Sequence, residues 1–319
     1  MGIKGLNTFI KKYCPECILE KNITEYKGST FAIDASILIY KYVHISNVNA
    51  NCKDTHILGF INRIKMYRDN DIVPIFVFDG VPPEEKRETL KKRYLNKKKI
   101  TDKINTLSDL SEKMDSQEKK APILKEIERL NNQLVYVTKE HVQDCKKIID
   151  LLGIQYFDAP DEAEKYCVYL YKNKIANYIV SDDTDVFTFG GNNVIKTTMK
   201  NKLTEYDFDI FLKKMNYSKE KFIDFCILSG CDYLSFVPNL AINTVFTLFK
   251  KYNTIEEIIN LNKYNFPVSY NFESARSIFV NYNYDEVSID KTLEINYKEL
   301  EEFLNLKEIK NVQKIIKKF

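Results

Sequence analysis

The amino-acid sequence predicts an α/β fold, a mostly parallel central sheet with helices on both faces. Apolar runs that read as strands alternate with segments of helical periodicity, and the unit recurs before residue 80 and again between residues 139 and 183. Such alternation leads to parallel strands joined by crossover helices. A third observation points to the functional edge: Asp34, Asp79 and Asp183 each follow an apolar run almost immediately. In sheets of this kind ligands bind at the carboxyl ends of the strands, so the three aspartates converge there.

In chain order, "STFAID" reads as a short strand ending in Asp34, and "ASILIYKYV" as the helix after it. "THILGFINRIKMYRD" has helical spacing and leads into "IVPIFVFDG", a second strand ending in Asp79. Between Glu84 and about Val137 glycine disappears and Lys, Glu, Asn, Ser and Leu dominate, which reads as a helical insertion. From Lys86 to Lys103 it holds nine Lys or Arg against Glu88 and Asp102, a local excess of seven positive charges. "HVQDCKKIIDLLG" reads as a helix stopped by Gly153, "IQYFD" as a strand, "PDEAEKYCVYLYKN" as a helix entered through Pro160 and capped by Asp161, and "NYIVSD" as another strand. After Tyr206 the pattern turns helical, in "DFDIFLKKMN", "KEKFIDFCILSG", "NLAINTVFTLFKKYN" and "TIEEIINL".

At 319 residues, with 44% hydrophobic and 13% aromatic residues, the chain can fill the core of one large domain or two small ones. Seven irregularly spaced cysteines argue against a secreted disulfide framework and fit a reducing compartment. Cys14-Pro-Glu-Cys17 lacks a second CxxC pair, and His44, His56 and His141 stand far apart, so zinc and redox roles are disfavoured. No run of 18 apolar residues and no signal-peptide-like apolar segment is present, so a soluble intracellular protein without a membrane partner is expected. The net charge of +3 says little about partners, whereas the basic insertion and the acidic strand ends separate the two signs of charge.

The stretch "NYIVSDDTDVFTFGG" crowds Asp182, Asp183 and Asp185 behind a strand. Their mutual repulsion costs stability unless a cation, a hydrogen-bond donor or open water offsets it. Glu162 and Glu164 at a helix start and Asp232 in "SGCDYL" bring to seven the carboxylates with access to the same edge, together with Asp34, Asp79, Asp183 and Asp185. Oxygen-only ligands select Mg²⁺ or Mn²⁺. Two such ions about 3.5 to 4 Å apart can activate a water and stabilise the leaving oxygen of a phosphodiester. Taken singly, each carboxylate also suits a cap or a solvated turn, with Asp161, Asp207 and Asp182 the leading candidates for caps.

The segments "MGIKGLNTFI", "FAIDASILIY", "VFDGVPPEEKRETLKKR", "HVQDCKKIIDLLGIQYFDAPDEAEKYC", "SDDTDVFTFG" and "CILSGCDYL" occur in an order and spacing that resemble the flap endonucleases, structure-specific 5′ nucleases of replication and repair. The resemblance covers roughly residues 1 to 260 and implies a PIN-like nuclease core within a single domain. Its parts would be an N-terminal core portion (1–83), a helical arch insertion (84–138), an internal core portion (139–206) and a helical duplex-binding region (207–260), with 261–319 as a C-terminal extension.

What the resemblance implies is an Mg²⁺-dependent endodeoxyribonuclease using two ions, with Mn²⁺ able to substitute, acting on branched DNA with a 5′ flap and with 5′ exonuclease activity beside it. Asp34, Asp79, Glu162 and Glu164 match one metal group, and Asp183, Asp185 and Asp232 the other. Tyr40 matches the aromatic that stacks on substrate, Gly2 the N-terminal residue close to DNA, and Arg63 a basic position near the duplex. Lys86 and Arg93 match the two catalytic basic residues at the base of the arch. Their spacing of seven residues puts them on one helix face. The arch would contact phosphates without reading bases, and selection would come from the shape of a bent junction.

The family's glycine-rich hairpin after the "DY" pair is here "SFVPNLAINT", with Asn239 and Ala241 where glycines are expected. Replacing glycine restricts positive φ, which puts duplex grip and potassium dependence in question. At the C-terminus Gln313, Ile316 and Phe319 carry the beginning of a sliding-clamp motif without its second aromatic, and an amphipathic basic helix explains them equally well. A monomer is expected, in the nucleus or, for a compact viral enzyme, at a cytoplasmic replication site. Two rival classes stay open at this point: a non-catalytic junction-binding factor, and a small-molecule phosphohydrolase at a similar strand edge.

Overall fold

The computed structural model describes residues 2–48, 54–114, 116–196, 202–282, 284–290 and 293–319, the side chains of 117–119 excepted. The chain divides into two units. The first comprises Met1–Ile37, Arg63–Arg87 and Gly153–Glu294, and the second Leu38–Asn62, Glu88–Leu152 and Ile295–Phe319.

The first unit is built on one seven-stranded sheet: β1 (Ile18–Asn22), β2 (Thr30–Asp34), β3 (Val73–Phe78), β4 (Tyr156–Asp158), β5 (Tyr178–Val180), β6 (Asn193–Ile195) and β7 (Lys202–Asp207). Their order is β1-β7-β6-β5-β2-β3-β4. The four strands expected from the sequence, β2 to β5, pair in parallel at its centre and edge, and β6 continues the parallel set beside β5. β7 then runs antiparallel to β6 and to β1, so the sheet is mixed. β6 spans three residues and β1 is the largely polar "ILEKN", so neither carries an apolar run long enough to read as a strand from sequence.

Apart from their first residues, β2 and β3 are buried throughout, as strands covered on both faces must be. The register pairs Asp34 with Val77 and Ile33 with Val180, so all three strands end level with one another. Asp34, Asp79 and the turn after Val180 therefore leave the sheet at one edge. The helix Ala163–Lys172 packs on β2, β3 and β5 behind that edge, and Ala163 to Leu170 are all buried. Farther along the chain the helix Lys219–Gly230 buries every residue from Phe222 to Ser229, and its Phe225 meets Phe9 at 5.3 Å between ring centroids. Phe208 stacks between Phe187 at 4.6 Å and Phe211 at 4.8 Å. Offset and tilted ring pairs of this kind contribute about 0.5–1.5 kcal/mol each beyond their buried area.

Of the expected caps, Asp207 accepts a hydrogen bond from the Ile210 amide at 3.3 Å, capping Phe208–Met215. Asp161 does not cap. The cap position of Ala163–Lys172 is Glu162, and Asp161, one residue earlier, instead accepts from the Glu162 amide and the Lys165 ammonium. Asp182 is not a cap either, since the short helix Asp185–Thr188 starts after Thr184. Between Lys219–Gly230 and the helix Ile242–Phe249, Asn239 adopts φ +66°. Asparagine enters this left-handed region more readily than other residues with a β-carbon, so the turn survives the loss of glycine. Ala241 sits at φ −73°, where a β-carbon costs nothing. The expected restriction on positive φ therefore falls on Asn239 and not on Ala241.

In the second unit, the helical segment expected after Glu84 is two helices, Arg87–Glu112 and Gln117–Asn131. Lys103 pairs with Glu126 at 2.9 Å, and Lys97 donates to the Val135 carbonyl at 2.7 Å. Helix Tyr297–Leu306 docks beside Lys139–Leu151 through the Asn296 amide, which donates to the Leu151 carbonyl at 2.9 Å, and through Lys307, which binds Asp144 at 2.9 Å and Glu140 at 2.8 Å. Asp144 also takes a contact from His56 Nε2 at 3.2 Å.

Candidate active site

Five of the seven predicted carboxylates, Asp34, Glu162, Glu164, Asp183 and Asp185, are buried; Asp232 is nearly so and Asp79 is exposed. All belong to the first unit. β2 ends on Asp34, whose oxygens accept from the Ile37 amide at 3.1 Å and from the Ser181 hydroxyl at 3.1 Å. The same hydroxyl oxygen accepts the Asp183 amide at 3.1 Å, and Asp183 in turn accepts the Asp185 amide at 3.1 Å. Asp79 accepts the Ala163 amide at 2.9 Å, which ties the end of β3 to the helix that carries Glu162 and Glu164. One oxygen each from Glu164, Asp183 and Asp185 lie within 4.8 Å of one another.

Lys86 stands among the remaining members. Its ammonium donates to Glu162 and lies 3.7 Å from Asp232 Oδ2 and 4.0 Å from Glu164 Oε1. Tyr233 donates its hydroxyl to the other oxygen of Glu162. One lysine cannot balance seven carboxylates. Burial pushes Asp34 up to about 8, helped by the charges of Asp79 and Asp183. Burial likewise holds Glu164 and Asp185 well above the usual carboxylate range, with Asp183 the largest neighbouring charge on both.

Asp185 is fully buried, and neither carboxylate oxygen has a hydrogen-bond partner. A buried carboxylate without donors is strongly disfavoured, and several kcal/mol of desolvation are recovered only by a cation or by protonation. Hard oxygen donors alone, with no histidine or cysteine in the set, fit Mg²⁺ or Mn²⁺.

Gly2 lies against this centre: its φ is +79°, and a β-carbon on it would sit 2.0 Å from Asp183 Oδ1. Gly80 is confined in the same way, since a β-carbon there would sit 1.9 Å from the Ala159 carbonyl oxygen. That close approach lets the Gly80 amide reach the Asp161 carbonyl at 2.7 Å. Arg63, expected near duplex DNA, is 3% exposed with its guanidinium carbon 5.9 Å from the Tyr67 ring centroid. It is packed into the first unit rather than presented on a surface. Tyr40, in Ala35–Val48, is 39% exposed, and Arg93, in Arg87–Glu112, is half-buried; both belong to the second unit.

Sequence reasoning missed Ser181 and Tyr233, which orient Asp34, Asp183 and Glu162. Each adjoins a predicted ligand or the turn that carries one, in "SDD" and "CDY", and a hydroxyl beside a crowded carboxylate is a usable signal for a positioning donor. Cys14 and Cys17 are buried, and burial pushes the Cys17 thiol up to about 12, which suits an inert core residue.

The XPG N-terminal domain model matches residues 1–100, and the XPG I-region model residues 153–232. Flap endonuclease 1 of Enterocytozoon bieneusi is 34% identical over 290 residues, covering 88% of this chain and 77% of that protein. Flap endonuclease 1 of Plasmodium falciparum is also 34% identical, over 95% of this chain, which spans 50% of that longer protein. The catalytic core of Rad2 in complex with DNA substrate superposes with a TM-score of 0.75 at 20% identity, covering 96% of this chain and 95% of the other. Flap endonuclease-1 from Methanococcus jannaschii gives 0.65 at 22% identity, covering 94% and 95%. At these identities the two superpositions speak for the fold, which is that of this group of nucleases.

Proposed function

The chain belongs to the flap endonuclease family, and from that premise we propose that it is a structure-specific DNA nuclease that cuts branched DNA near the junction with a 5′ single-stranded flap, with 5′ exonuclease activity at the same site. The observation that carries the reading is Asp185: a fully buried carboxylate with no hydrogen-bond donor, grouped with Glu164 and Asp183. Such a group makes sense as half of a cation site.

Asp34, Asp79, Glu162 and Glu164 would hold one Mg²⁺, and Asp183, Asp185 and Asp232 a second, with Mn²⁺ as a substitute. Bound there, the ions would activate a water and neutralise charge building on the phosphodiester oxygens. The chain's own part is to hold the carboxylates in place, through the Ser181 and Tyr233 hydroxyls and the Ala163 amide. Lys86, already held among the acids, would turn its ammonium to a phosphate oxygen and offset its charge there, and Arg93 on the basic helix would add a second cation. Neither needs to transfer a proton to do so.

DNA would be held by phosphate contacts from the arch at 84–138, with Tyr40 stacking on a base and 207–260 taking the duplex. The remaining 261–319 would be a C-terminal extension of the nuclease domain 1–260. A sliding clamp could engage Gln313, Ile316 and Phe319 only if Gln313 released the Glu301 carboxylate that it now binds. Among the described residues no helix is long and apolar enough to cross a membrane. The proposed setting is an intracellular compartment where DNA is replicated or repaired, with the enzyme acting as a monomer.

The test is cleavage of an end-labelled double-flap DNA in Mg²⁺, beside single-stranded and plain duplex controls and Asp183→Ala. A discrete product near the junction, absent from the variant, is expected. Tight junction binding by the wild type without cleavage in Mg²⁺ or Mn²⁺ would replace the enzyme with a binding factor.

A further inference from the structure

The segment after helix Phe272–Val280 forms no regular structure among its described residues, yet it is fastened at several points. Tyr282 donates its hydroxyl to the Phe189 carbonyl, Tyr284 donates to Asp161 Oδ1, and the Tyr169 hydroxyl donates back to the Asp285 carbonyl at 2.8 Å. Asp290 donates its amide to Gln155 at 3.3 Å, and the Tyr284 ring lies 5.0 Å from Tyr166 and 5.1 Å from Tyr169. The segment is a strap across the buried helix Ala163–Lys172, and it lies beyond the residues that either family domain matches.

Asp161 is where the strap meets the site. Its carboxylate takes the Tyr284 hydroxyl, the Lys165 ammonium at 2.8 Å and the Glu162 amide at 2.9 Å, while its carbonyl takes the Gly80 amide at 2.7 Å. Asp161 thus joins four pieces of chain: the strap, the helix, the turn carrying Glu162, and the loop after Asp79. The Glu162 side chain makes no cap bond at its own helix start, and Asp161 fixes its amide while the Tyr166 amide holds its carbonyl at 3.1 Å.

We propose that Tyr284 is a positioning residue for divalent-cation binding, acting through Asp161 on the Glu162 to Glu164 turn and on Asp79. The proposal rests on the cation reading above. The ring packing of Tyr284 holds the strap, and its hydroxyl sets the direction of the Asp161 carboxylate. Tyr284→Phe keeps the first and removes the second.

The experiment measures Mn²⁺ binding to the full chain by electron paramagnetic resonance, without DNA, for wild type, Tyr284→Phe, Tyr282→Phe, Asp161→Ala and the Tyr284→Phe/Asp161→Ala double variant. Groups that orient metal ligands cost about 10–100-fold in affinity when lost, and Tyr284 acts one step farther out, so a loss of about three- to tenfold is expected. Tyr282→Phe, which loses a comparable strap hydroxyl bond away from the site, should bind Mn²⁺ like wild type. The double variant should lose no more than the worse single one, because both remove the same link. Equal binding by wild type and Tyr284→Phe overturns the proposal, as does an equal loss in Tyr282→Phe, which would make the strap mere packing. Should Tyr284→Phe unfold, Asp161→Ala, which removes the acceptor of both the Tyr284 hydroxyl and the Glu162 amide, alone decides: wild-type affinity in it overturns the link. Failure of the wild type itself to bind Mn²⁺ or to cut DNA would instead sink the cation reading, and the proposal with it.

Discussion

Gly2 and Asp183 meet so closely that a β-carbon on Gly2 would lie 2.0 Å from the Asp183 carboxylate oxygen, 2.7 Å from Thr184 Oγ1 and 2.8 Å from the Asp185 amide nitrogen. The N-terminal segment is therefore built into the turn that carries two of the candidate ligands. Two residues on, the Lys4 amide donates to the Gly230 carbonyl at 3.0 Å, just before Asp232. The start of the chain braces both Asp183 and the approach to Asp232.

Gly2→Ala tests that brace. Alanine at φ +79° costs about 1–2 kcal/mol from backbone strain alone, and the displaced Asp183 turn adds to it. Flap cleavage at saturating Mg²⁺ is expected to fall about tenfold, the equivalent of 1.4 kcal/mol in the barrier, and the strain should lower the melting temperature by a few degrees. A wild-type rate in the variant would show that the turn can move aside at no cost.

Lys86→Met leaves Glu162, Glu164 and Asp232 without their shared cation. Removing one partner of a buried ion pair costs about 3–5 kcal/mol, and a loss of that order is expected in EDTA. Added Mg²⁺ should raise the variant's melting temperature more than the wild type's, since the ion then neutralises what Lys86 did. Cleavage should drop about 10²-fold or more, the size of one lost preorganised donor at a reacting oxygen. An equal Mg²⁺ shift in both proteins would remove Lys86 from the carboxylate balance.

Asp185→Asn should separate stability from function. The wild-type carboxylate is buried, has no donor and faces Asp183 and Asp232, so removing its charge relieves repulsion. In EDTA the variant should melt higher than wild type by a few degrees, about 1 kcal/mol or more at this chain length, and it should not cut DNA. A lower melting temperature in EDTA would mean that Asp185 has a stabilising partner in the metal-free protein.

Lys172 supplies a pH dependence away from the carboxylates. Burial, helped by the charge of Lys219, lowers its folded value to about 8, against about 10.4 unfolded. Between those values the unfolded chain binds more protons than the folded one, so stability from this group rises with pH from about 8 to about 10.4 and is reduced below about 8. The side chain reaches the surface, which screens the effect. Lys172→Met should flatten the rise in melting temperature over that window; an unchanged slope would assign it to other groups.

The central parallel strands were legible because their apolar runs and the following helices carry different periods, 2.0 and 3.6. The same reading missed β1, β6 and β7: β1 and β7 pair across some 180 residues, β6 is three residues long, and short or polar strands are stabilised by their partners rather than by their own composition. The cap expected at Asp161 failed for a related reason. A carboxylate at a helix start follows whichever donors reach it, and here the strap brings Tyr284 from 123 residues away.

The sequence alone determined which strand ends carry carboxylates and that their ligand chemistry is oxygen-only, because alternating strand and helix periods fix where each chain segment leaves a parallel sheet. Only the tertiary structure decided that Lys86 sits among Glu162, Glu164 and Asp232, that Arg63 is buried and that Asp185 lacks a donor. Those outcomes depend on distances between groups remote in the chain. A local pattern can name a charge, but the packing around it sets its solvation and its partner.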